Sequence, residues 1–244
     1  MLIDAHQHVG DCRVFDLDVP EETVLAAIEE HQLDHALVMP FPGPHDAASV
    51  HDRISAMTAA TRGRVRGIVN LNPHQDRSGY AQEAERCVRE LGFVAIKLHT
   101  LGHAVEPGSA DGRVVFAEAA RLKVPVMIHT GGAGVPFASP AHAMPLAQEW
   151  PSVPVILAHA GMGLASREAA IVAQRCPNVY LETSWCGTLD TAMLVKAVGP
   201  ERMMLGSDGA ANLGVEIAKH RAIGLDRAGL GRCLAGTAKE VFQL

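Results

Sequence analysis

The sequence lacks the features that define several common classes of protein. Only 4% of its 244 residues are aromatic, and its five cysteines contain no CxxC pair, so reduced thiols are expected rather than disulfides or a zinc knuckle. A net charge of −6 without a basic stripe gives no indication of nucleic-acid binding. Apolar stretches are short and interrupted, and no signal peptide is recognisable, so we expect a cytoplasmic protein without a membrane segment.

The chain also lacks a Gly/Ser-rich linker and a change in composition, which favours one domain over residues 1–244. Short runs of Val, Ile and Leu alternate with Ala-rich amphipathic segments, as in βα units on a parallel sheet. No GxGxxG follows the first run, which argues against a doubly wound sheet and favours a (β/α)8 TIM barrel. The predicted strands are 2–6, 35–40, 66–71, 94–99, 125–129, 154–159, 179–183 and 203–207.

Histidine is the residue type whose placement is informative. The barrel fold puts its active site at the carboxyl ends of the strands, and several histidines end predicted strands. A single histidine there is more often a hydrogen-bonded structural residue, but several at independent strand ends indicate a metal site, which three imidazoles and one carboxylate would complete. Because strand side chains alternate, His6 and His8 should point to one side. The residues at strand ends are His6, His8, His99, His129, His159 and, after the last strand, Asp208.

These motifs resemble a known family over essentially the whole chain. HxH after the first strand, His129, His159 and Asp208 follow the order of the amidohydrolase superfamily. The segments IDAHQH, GFVAIKLH, ILAHAG and MLGSD, with the closing GTAKEVFQL, resemble the narrower group typified by aminocarboxymuconate semialdehyde decarboxylase and several lactone hydrolases. The resemblance implies a metal-dependent enzyme on a (β/α)8 barrel.

By the same resemblance, the ligands of a divalent metal would be His6, His8, His129 and Asp208. One Zn²⁺ is expected, with Mn²⁺ as an alternative. Asp208 would accept the proton of a metal-activated water, and His159 would act beside the metal as an acid or base or polarise the substrate.

Four further residues are candidates for substrate contact. Lys97 stands where two-metal relatives carry a carboxylated lysine that bridges both ions, and the alternative that we favour is a substrate-binding cation. His99 would contact the substrate or pack as a strand-end residue. Arg13 would clamp a substrate carboxylate or lie in solvent, and Trp185 would line the pocket.

The sequence departs from the family pattern at several positions. No aromatic residue and proline follow Asp208, Glu182 stands where Asp is commoner, and Thr237 replaces Asn. We expect neither Glu182 nor Thr237 to touch the metal ligands. Glycines cluster in TGGAG (130–134) and AGMG (160–163), and we interpret both clusters as tight turns rather than phosphate cradles.

Three functions remain open from the sequence. The first is hydrolysis of a small, carboxylated lactone, ester or amide. The second is nonoxidative, metal-dependent decarboxylation of an unsaturated or aromatic acid, which the compact loops disfavour modestly. The third is a barrel that binds metal or ligand without turnover, against which the intact ligand set argues. The expected partner is a small-molecule substrate, with no nucleic acid or membrane, and a homodimer is compatible with the short loops and the Ala-rich exterior.

Overall fold

Nine strands form one sheet in the computed structural model, which describes residues 1–132 and 135–244. The strands are β1 (Ile3–Cys12), β2 (Leu17–Val19), β3 (His35–Pro40), β4 (Val65–Asn70), β5 (Ala95–Leu98), β6 (Val126–His129), β7 (Val155–Ala158), β8 (Val179–Glu182) and β9 (Met203–Met204). The helices are α1 (Glu21–Glu30), α2 (Ala47–Ala60), α3 (Arg77–Arg89), α4 (Ala110–Leu122), α5 (Ala143–Glu149), α6 (Ser166–Arg175), α7 (Thr188–Val198), α8 (Leu213–Ala222), α9 (Arg227–Gly231) and α10 (Thr237–Phe242).

All strands except β2 run parallel, in the order β1-β3-β4-β5-β6-β7-β8-β9. Backbone hydrogen bonds then join the segment after β9 to β1: Ala5 N–H donates to the Leu205 carbonyl at 3.0 Å, and Asp208 N–H donates to the His6 carbonyl at 2.8 Å. These bonds bring the last strand back to the first. The predicted (β/α)8 barrel in a single domain is therefore confirmed.

The hydrophobic core has two parts, as the alternation of strand side chains requires. On β3, Leu37 and Met39 belong to the cluster inside the barrel, whereas Ala36 and Val38 belong to the larger cluster between the strands and the helices. Both clusters consist of side chains that are almost fully buried. No helix among the described residues is long and apolar enough to cross a membrane.

The structure differs from the prediction at the first strand. β1 continues to Cys12, and its last residues pair with the antiparallel β2, in a segment that the sequence predicts as a loop. Leu17 and Asp18 of β2 are exposed. Because β2 has only three residues, its alternation of Leu17, Asp18 and Val19 is too short to indicate a strand, and its pairing could not be recognised.

Tight turns at the two glycine clusters are supported where the structure describes them. Gly131 has φ of +91°, and a Cβ at this position would lie 2.6 Å from Cβ of Met162. Gly161 has φ of +80°, and a Cβ there would lie 2.9 Å from the backbone N of Ser166 and 3.0 Å from Cβ of Ala165. Glycine is therefore required where the loops after β6 and β7 approach each other. Ala133 and Gly134, also in the first cluster, lie outside the described residues.

Asp4 links β1 to the segment after β9, beside the predicted site. One carboxylate oxygen accepts hydrogen bonds from the backbone N–H groups of His6 (3.1 Å) and Ser207 (2.9 Å), and the other accepts from Gln7 Nε2 and Ser207 Oγ, both at 2.6 Å. Burial raises the pKa of Asp4 to about 7, although all four hydrogen bonds favour the charged form.

We expect Asp4→Ala to lower the free energy of unfolding by about 2–4 kcal/mol, because it leaves two buried backbone N–H groups without an acceptor. Asp4→Asn should cost less, since the Ser207 hydroxyl can rotate and the Gln7 amide can turn to accept from the new amide. Urea unfolding of both variants measures the difference. Equal losses in the two variants would contradict this role for the hydrogen bonds.

Candidate active site

Three predicted ligand atoms converge at the carboxyl end of the barrel. His6 Nε2 and His8 Nε2 are 3.1 Å apart, and Asp208 Oδ1 lies 3.2 Å from the first and 3.4 Å from the second. His6 and His8 are buried, whereas the Asp208 side chain is 25% exposed. The alternation of β1 thus brings both imidazoles to one point, and Asp208 follows the neighbouring β9.

Hydrogen bonds on the far side of each ring determine which nitrogen carries the proton. His6 Nδ1 donates to Glu182 Oε2 at 2.8 Å, and His8 Nδ1 donates to the Pro40 carbonyl at 3.0 Å. Burial holds the pKa of His6 well below its ordinary value, so its ring is neutral. With Nδ1 as the donor in both rings, the two Nε2 atoms face each other as lone pairs in the tautomer that these hydrogen bonds select.

A chain of hydrogen bonds leaves Nε2 of His129 unprotonated as well. Ser184 Oγ donates to Glu182 Oε2 at 3.0 Å and therefore accepts from His159 Nδ1 at 2.8 Å. The unprotonated His159 Nε2 then accepts from His129 Nδ1 at 3.1 Å. His129 Nε2 is left as a lone pair that is buried and has no hydrogen-bond partner among the described residues. Burial lowers the pKa of His159 to about 4, which keeps this ring neutral as well.

These donor atoms fit a divalent cation. Two imidazole lone pairs 3.1 Å apart repel each other unless a positive charge lies between them, and an acidic oxygen completes the triangle. A tetrahedral ion with bonds of about 2.1 Å keeps its ligand atoms about 3.4 Å apart, close to the spacing found here. Among the described residues, three groups of possible ligand atoms lie within 4.8 Å of one another: His6, His8 and Asp208; His6, His159 and Glu182; and His51, Glu83 and Cys87. His129 belongs to none of them.

Glu182 corrects one expectation from the sequence. It was expected not to touch the ligands, but its Oε2 accepts the hydrogen bond from His6 Nδ1 and lies 3.3 Å from the backbone N of His159. A carboxylate that orients a ligating imidazole also raises its basicity. Glu182 is the last residue of β8, and a position at the end of a strand is the same signal that identified the histidines. That signal could therefore have identified Glu182 as well. Thr237 donates to the Pro200 carbonyl instead.

We expect Glu182→Gln to weaken metal binding about 10- to 100-fold. Oε1 accepts from the Ser184 backbone N–H and Oε2 accepts from His6 and Ser184 Oγ, so either orientation of an amide puts its NH₂ group against a donor. Titration of metal-depleted protein with Zn²⁺ or Mn²⁺ gives the affinity. Glu168→Gln is a control on the barrel exterior, where the carboxylate accepts from Ser139 and Ala141. Unchanged affinity in Glu182→Gln would show that the His6 proton does not depend on this carboxylate.

Asp208 is oriented by an exposed aromatic residue. Trp185 Nε1 donates to Asp208 Oδ2 at 2.8 Å, which leaves Oδ1 directed at His6 and His8. Although burial alone would raise it, the neighbouring histidines hold the pKa of Asp208 well below its ordinary value. His159, Trp185 and Asp208 all have φ near +64°, a strained backbone conformation that is common at functional sites.

A buried ion pair supports the loop that carries Trp185. Glu216 Oε1 accepts from the Trp185 backbone N–H at 3.0 Å and from Asn212 Nδ2 at 3.1 Å. Lys219, which pairs with Glu216, donates to the carbonyls of Thr183 and Cys186. The pair therefore links the loops after β8 and β9. Sequence patterns could not reveal this ion pair, because its partners are mostly backbone groups.

Lys97 lies inside the site. Its Nζ is 2.9 Å from His6 Nε2, and burial lowers its pKa to about 8, partly offset by the charges of Asp208 and Glu182. The residue is completely buried. Its amine therefore faces the same lone pair that a metal would use.

His99 and Arg13 take up different positions. His99 stacks on His129, with ring centroids 4.6 Å apart, and its Nδ1 accepts from the Gly102 N–H at 3.0 Å. Burial holds the pKa of His99 well below its ordinary value, so Nε2 carries the proton and is a donor, not a metal ligand. Arg13 is exposed and lines a separate cavity at the same end of the barrel.

Comparison with known proteins assigns the chain to a family. The family model described as Amidohydrolase matches residues 3–230. Among curated proteins, none matches the sequence. Because the family model covers nearly the whole chain, the protein belongs to the amidohydrolase family, and it is a metal-dependent enzyme of the superfamily that includes hydrolases and decarboxylases.

Solved structures share the fold at low sequence identity. A dihydroxybenzoic acid decarboxylase from Polaromonas sp. JS666, with bound manganese and 2-nitroresorcinol, has a TM-score of 0.76 at 20% identity, covering 100% of this chain and 97% of the other. A probable 2-pyrone-4,6-dicarboxylic acid hydrolase from Acinetobacter baumannii, with bound citric acid, has a TM-score of 0.72 at 14% identity, covering 100% of this chain and 99% of the other. A 5-carboxyvanillate decarboxylase from Novosphingobium aromaticivorans, with bound manganese, has a TM-score of 0.73 at 18% identity, covering 94% of this chain and 82% of the other.

Proposed function

We propose that this protein hydrolyses a small, carboxylated lactone, ester or amide with one divalent metal, Zn²⁺ or Mn²⁺. The observation that carries the proposal is the convergence of two imidazole lone pairs and one carboxylate oxygen, with only the carboxylate partly exposed. A ligand set that stays open to solvent on one side is typical of catalytic rather than structural metal sites. This argues against a barrel that only binds metal.

We assign the ligands as His6, His8, His129 and Asp208. His129 contributes the lone pair of Nε2, which is buried and has no hydrogen-bond partner among the described residues. A bound divalent ion lowers the pKa of water and polarises a carbonyl oxygen. Asp208, ionised and open to solvent, accepts the proton that the attacking water loses.

The neighbouring side chains bind and orient the substrate. His159 Nε2 is unprotonated and accepts from His129 Nδ1 in the resting arrangement, so His159 can take a proton from the substrate when that contact opens. His99 donates from Nε2 to a substrate oxygen. Lys97, as a buried cation, attracts the substrate carboxylate, and Trp185 lines the exposed side of the pocket.

The proposal is tested by turnover in ¹⁸O-labelled water. Metal-loaded protein is given a panel of lactones and esters that carry carboxylates, including 2-pyrone-4,6-dicarboxylate, the compound in the name of one structural neighbour. Hydrolysis places one labelled oxygen in the product, and Asp208→Asn should slow the incorporation by about 10²- to 10⁴-fold. Absence of labelled product from the whole panel would contradict hydrolysis of this substrate class.

Decarboxylation is the second candidate, because two structural neighbours are named as decarboxylases of hydroxylated aromatic acids. In this reaction the same residues would orient the acid, and a proton would be delivered to the carbon that loses carbon dioxide. The two reactions leave different labels: decarboxylation in deuterated water puts deuterium on that carbon and incorporates no oxygen. Dihydroxybenzoates and 5-carboxyvanillate form the matching panel.

The number of metal ions tests the role of Lys97. We expect about one ion per chain and an unmodified lysine. A second ion, together with a mass gain of one carbon dioxide on intact protein, would assign Lys97 as a carboxylated bridge. Lys97→Met should then reduce the metal content to one ion, whereas a substrate-binding Lys97 predicts an unchanged metal content and a raised KM.

A further inference from the structure

A cavity of about 240 Å³ lies at the end of the barrel opposite to the candidate metal centre. Arg66, Val94 and Pro125 line it, and they stand at the amino ends of β4, β5 and β6. Val241 and Phe242 of α10 contribute an apolar wall. The proposed metal ligands converge at the carboxyl end of the barrel, so this cavity has no role in the chemistry above.

Arg66 points into the barrel, although the neighbouring inward side chains are apolar. Leu37 on β3 and Ile68 on β4 belong to the cluster inside the barrel. Arg66 is the register partner of Leu37 and stands two residues before Ile68, so its side chain lies on the same, inner face of the sheet. A guanidinium is always charged, and placing it at the mouth of the barrel costs free energy unless acceptors compensate.

No group among the described residues compensates for this charge. Arg66 forms no ion pair and no hydrogen bond with any of them, and its Nε is buried without a partner. The two terminal nitrogens are equally unpartnered but are not buried, so they are the part of this half-buried side chain that reaches the cavity. The terminal nitrogens are therefore free to donate to a ligand.

A second unpaired cation lines the same cavity. Lys123 follows the last residue of α4, is exposed, and forms no ion pair with any residue that the structure describes. Of the residues described, no aspartate or glutamate lines the cavity. In a chain with a net charge of −6, two cations without a neighbouring carboxylate produce a local region of positive potential. The cavity therefore favours an anion.

The cavity continues into a neighbouring one of about 420 Å³. The two share five lining residues, which are Lys123, Val124, Pro125, Val241 and Gln243. The other residues that line the neighbouring cavity are alanine, valine, proline and one serine, so Lys123 is the only charged residue described there. A ligand whose anionic group lies between Arg66 and Lys123 thus has room for an uncharged remainder.

We propose that these two cavities bind a small phosphomonoester, with its phosphate group held by Arg66 and Lys123 and its uncharged part in the neighbouring cavity. The planar guanidinium can donate two parallel hydrogen bonds to a phosphate, and the lysine adds a compact charge. A monoester phosphate carries close to two negative charges at neutral pH, which two cations match. The inference does not depend on the proposed function, because the site lies at the other end of the barrel.

The test is a titration of the metal-loaded protein with glycerol 3-phosphate, a small phosphomonoester with a neutral remainder. In NMR spectra of the arginine side chains, the Nε–H signal of Arg66 should shift and reach saturation, and Arg66→Lys identifies that signal by removing it. Calorimetry should show an affinity lowered about tenfold or more in Arg66→Met and in Lys123→Met, since each variant loses charge-assisted hydrogen bonds. Arg167→Met is the matched control, because Arg167 is an exposed arginine of α6 outside both cavities.

The comparison of variants separates this site from other anion sites. Equal affinity in wild type, Arg66→Met and Lys123→Met would place the anion elsewhere, for example at the metal, and would overturn the proposal. Absence of a saturable shift of the Arg66 signal would overturn it as well. Inorganic phosphate should bind more weakly than the ester. If inorganic phosphate binds as tightly, the neighbouring cavity takes no part, and a site for free phosphate replaces the one proposed.

Stability without ligand distinguishes a binding residue from a structural one. In the absence of phosphate compounds, Arg66→Met should be at least as stable to urea as wild type, because it removes a charge that has no partner in the described chain. With saturating glycerol 3-phosphate, wild type should gain stability and Arg66→Met should not. A loss of stability in ligand-free Arg66→Met would show that Arg66 serves the fold, and it would contradict the proposal.

Discussion

Simultaneous replacement of His6 and His8 by alanine is expected to reduce bound metal from about one ion per chain to background and to abolish activity. The two Nε2 atoms are 3.1 Å apart and face each other. Because both residues lie on β1, the double variant removes two of the four proposed ligands from one strand. Elemental analysis after incubation with Zn²⁺ or Mn²⁺ measures the metal. Metal retained at full stoichiometry would overturn the ligand assignment.

His31→Ala is the matched control for this experiment. His31 follows α1 and is partly exposed, far along the chain from every proposed ligand, and its nearest carboxylate is that of Glu30 at 4.0 Å. It should lose neither metal nor activity. Because the double variant also removes the His6 contact to Glu182, thermal unfolding of metal-depleted wild type and variant is needed to separate loss of ligands from loss of fold.

The parts of the site that the sequence predicted depend on short-range or topological rules. His6 and His8 converge because strand side chains alternate, and this holds although β1 contains a register shift between Asp4 and Gln7. Asp208 joins them because parallel strands of a barrel end at one face. Neither rule needs knowledge of side-chain contacts.

The parts that were missed depend on contacts between distant segments. Glu182 is 176 residues from His6 in sequence, and its role exists only because β8 brings it behind the imidazole. Which nitrogen of His129 carries the proton depends on the hydrogen bonds from His159 to Ser184 and from His129 to His159. Neither hydrogen bond can be inferred from residue spacing. Alternation predicts where a side chain points, whereas a hydrogen-bond chain requires the positions of several atoms at once.

The metal count is left open by the sequence for a related physical reason. Lys97 was predicted as a substrate-binding cation or a carboxylated bridge, and its Nζ lies 2.9 Å from His6 Nε2. The same position suits an ammonium group that attracts a substrate carboxylate and an uncharged amine that reacts with carbon dioxide. Burial lowers the Lys97 pKa to about 8, which makes the neutral amine accessible near physiological pH.

Asp208→Asn should lower turnover by about 10²- to 10⁴-fold, because the variant has no carboxylate to accept the proton of the attacking water. The new amide also has a preferred orientation. Trp185 Nε1 is a donor at 2.8 Å, so the amide oxygen will face Trp185 and the NH₂ group will face His6 and His8. It then donates to the lone pairs that should bind metal, and metal affinity should fall together with turnover.

Trp185→Phe separates these two effects. Alone, it removes the donor to Asp208 and should lower turnover only modestly, since the carboxylate remains ionised beside the histidines. Combined with Asp208→Asn, it frees the amide to turn its oxygen towards His6 and His8, so metal binding should recover while turnover stays low. Metal titration and steady-state kinetics on the three variants measure both quantities. If the double variant bound metal no better than Asp208→Asn alone, orientation by Trp185 would not be the cause, and loss of the carboxylate charge would account for the weaker binding.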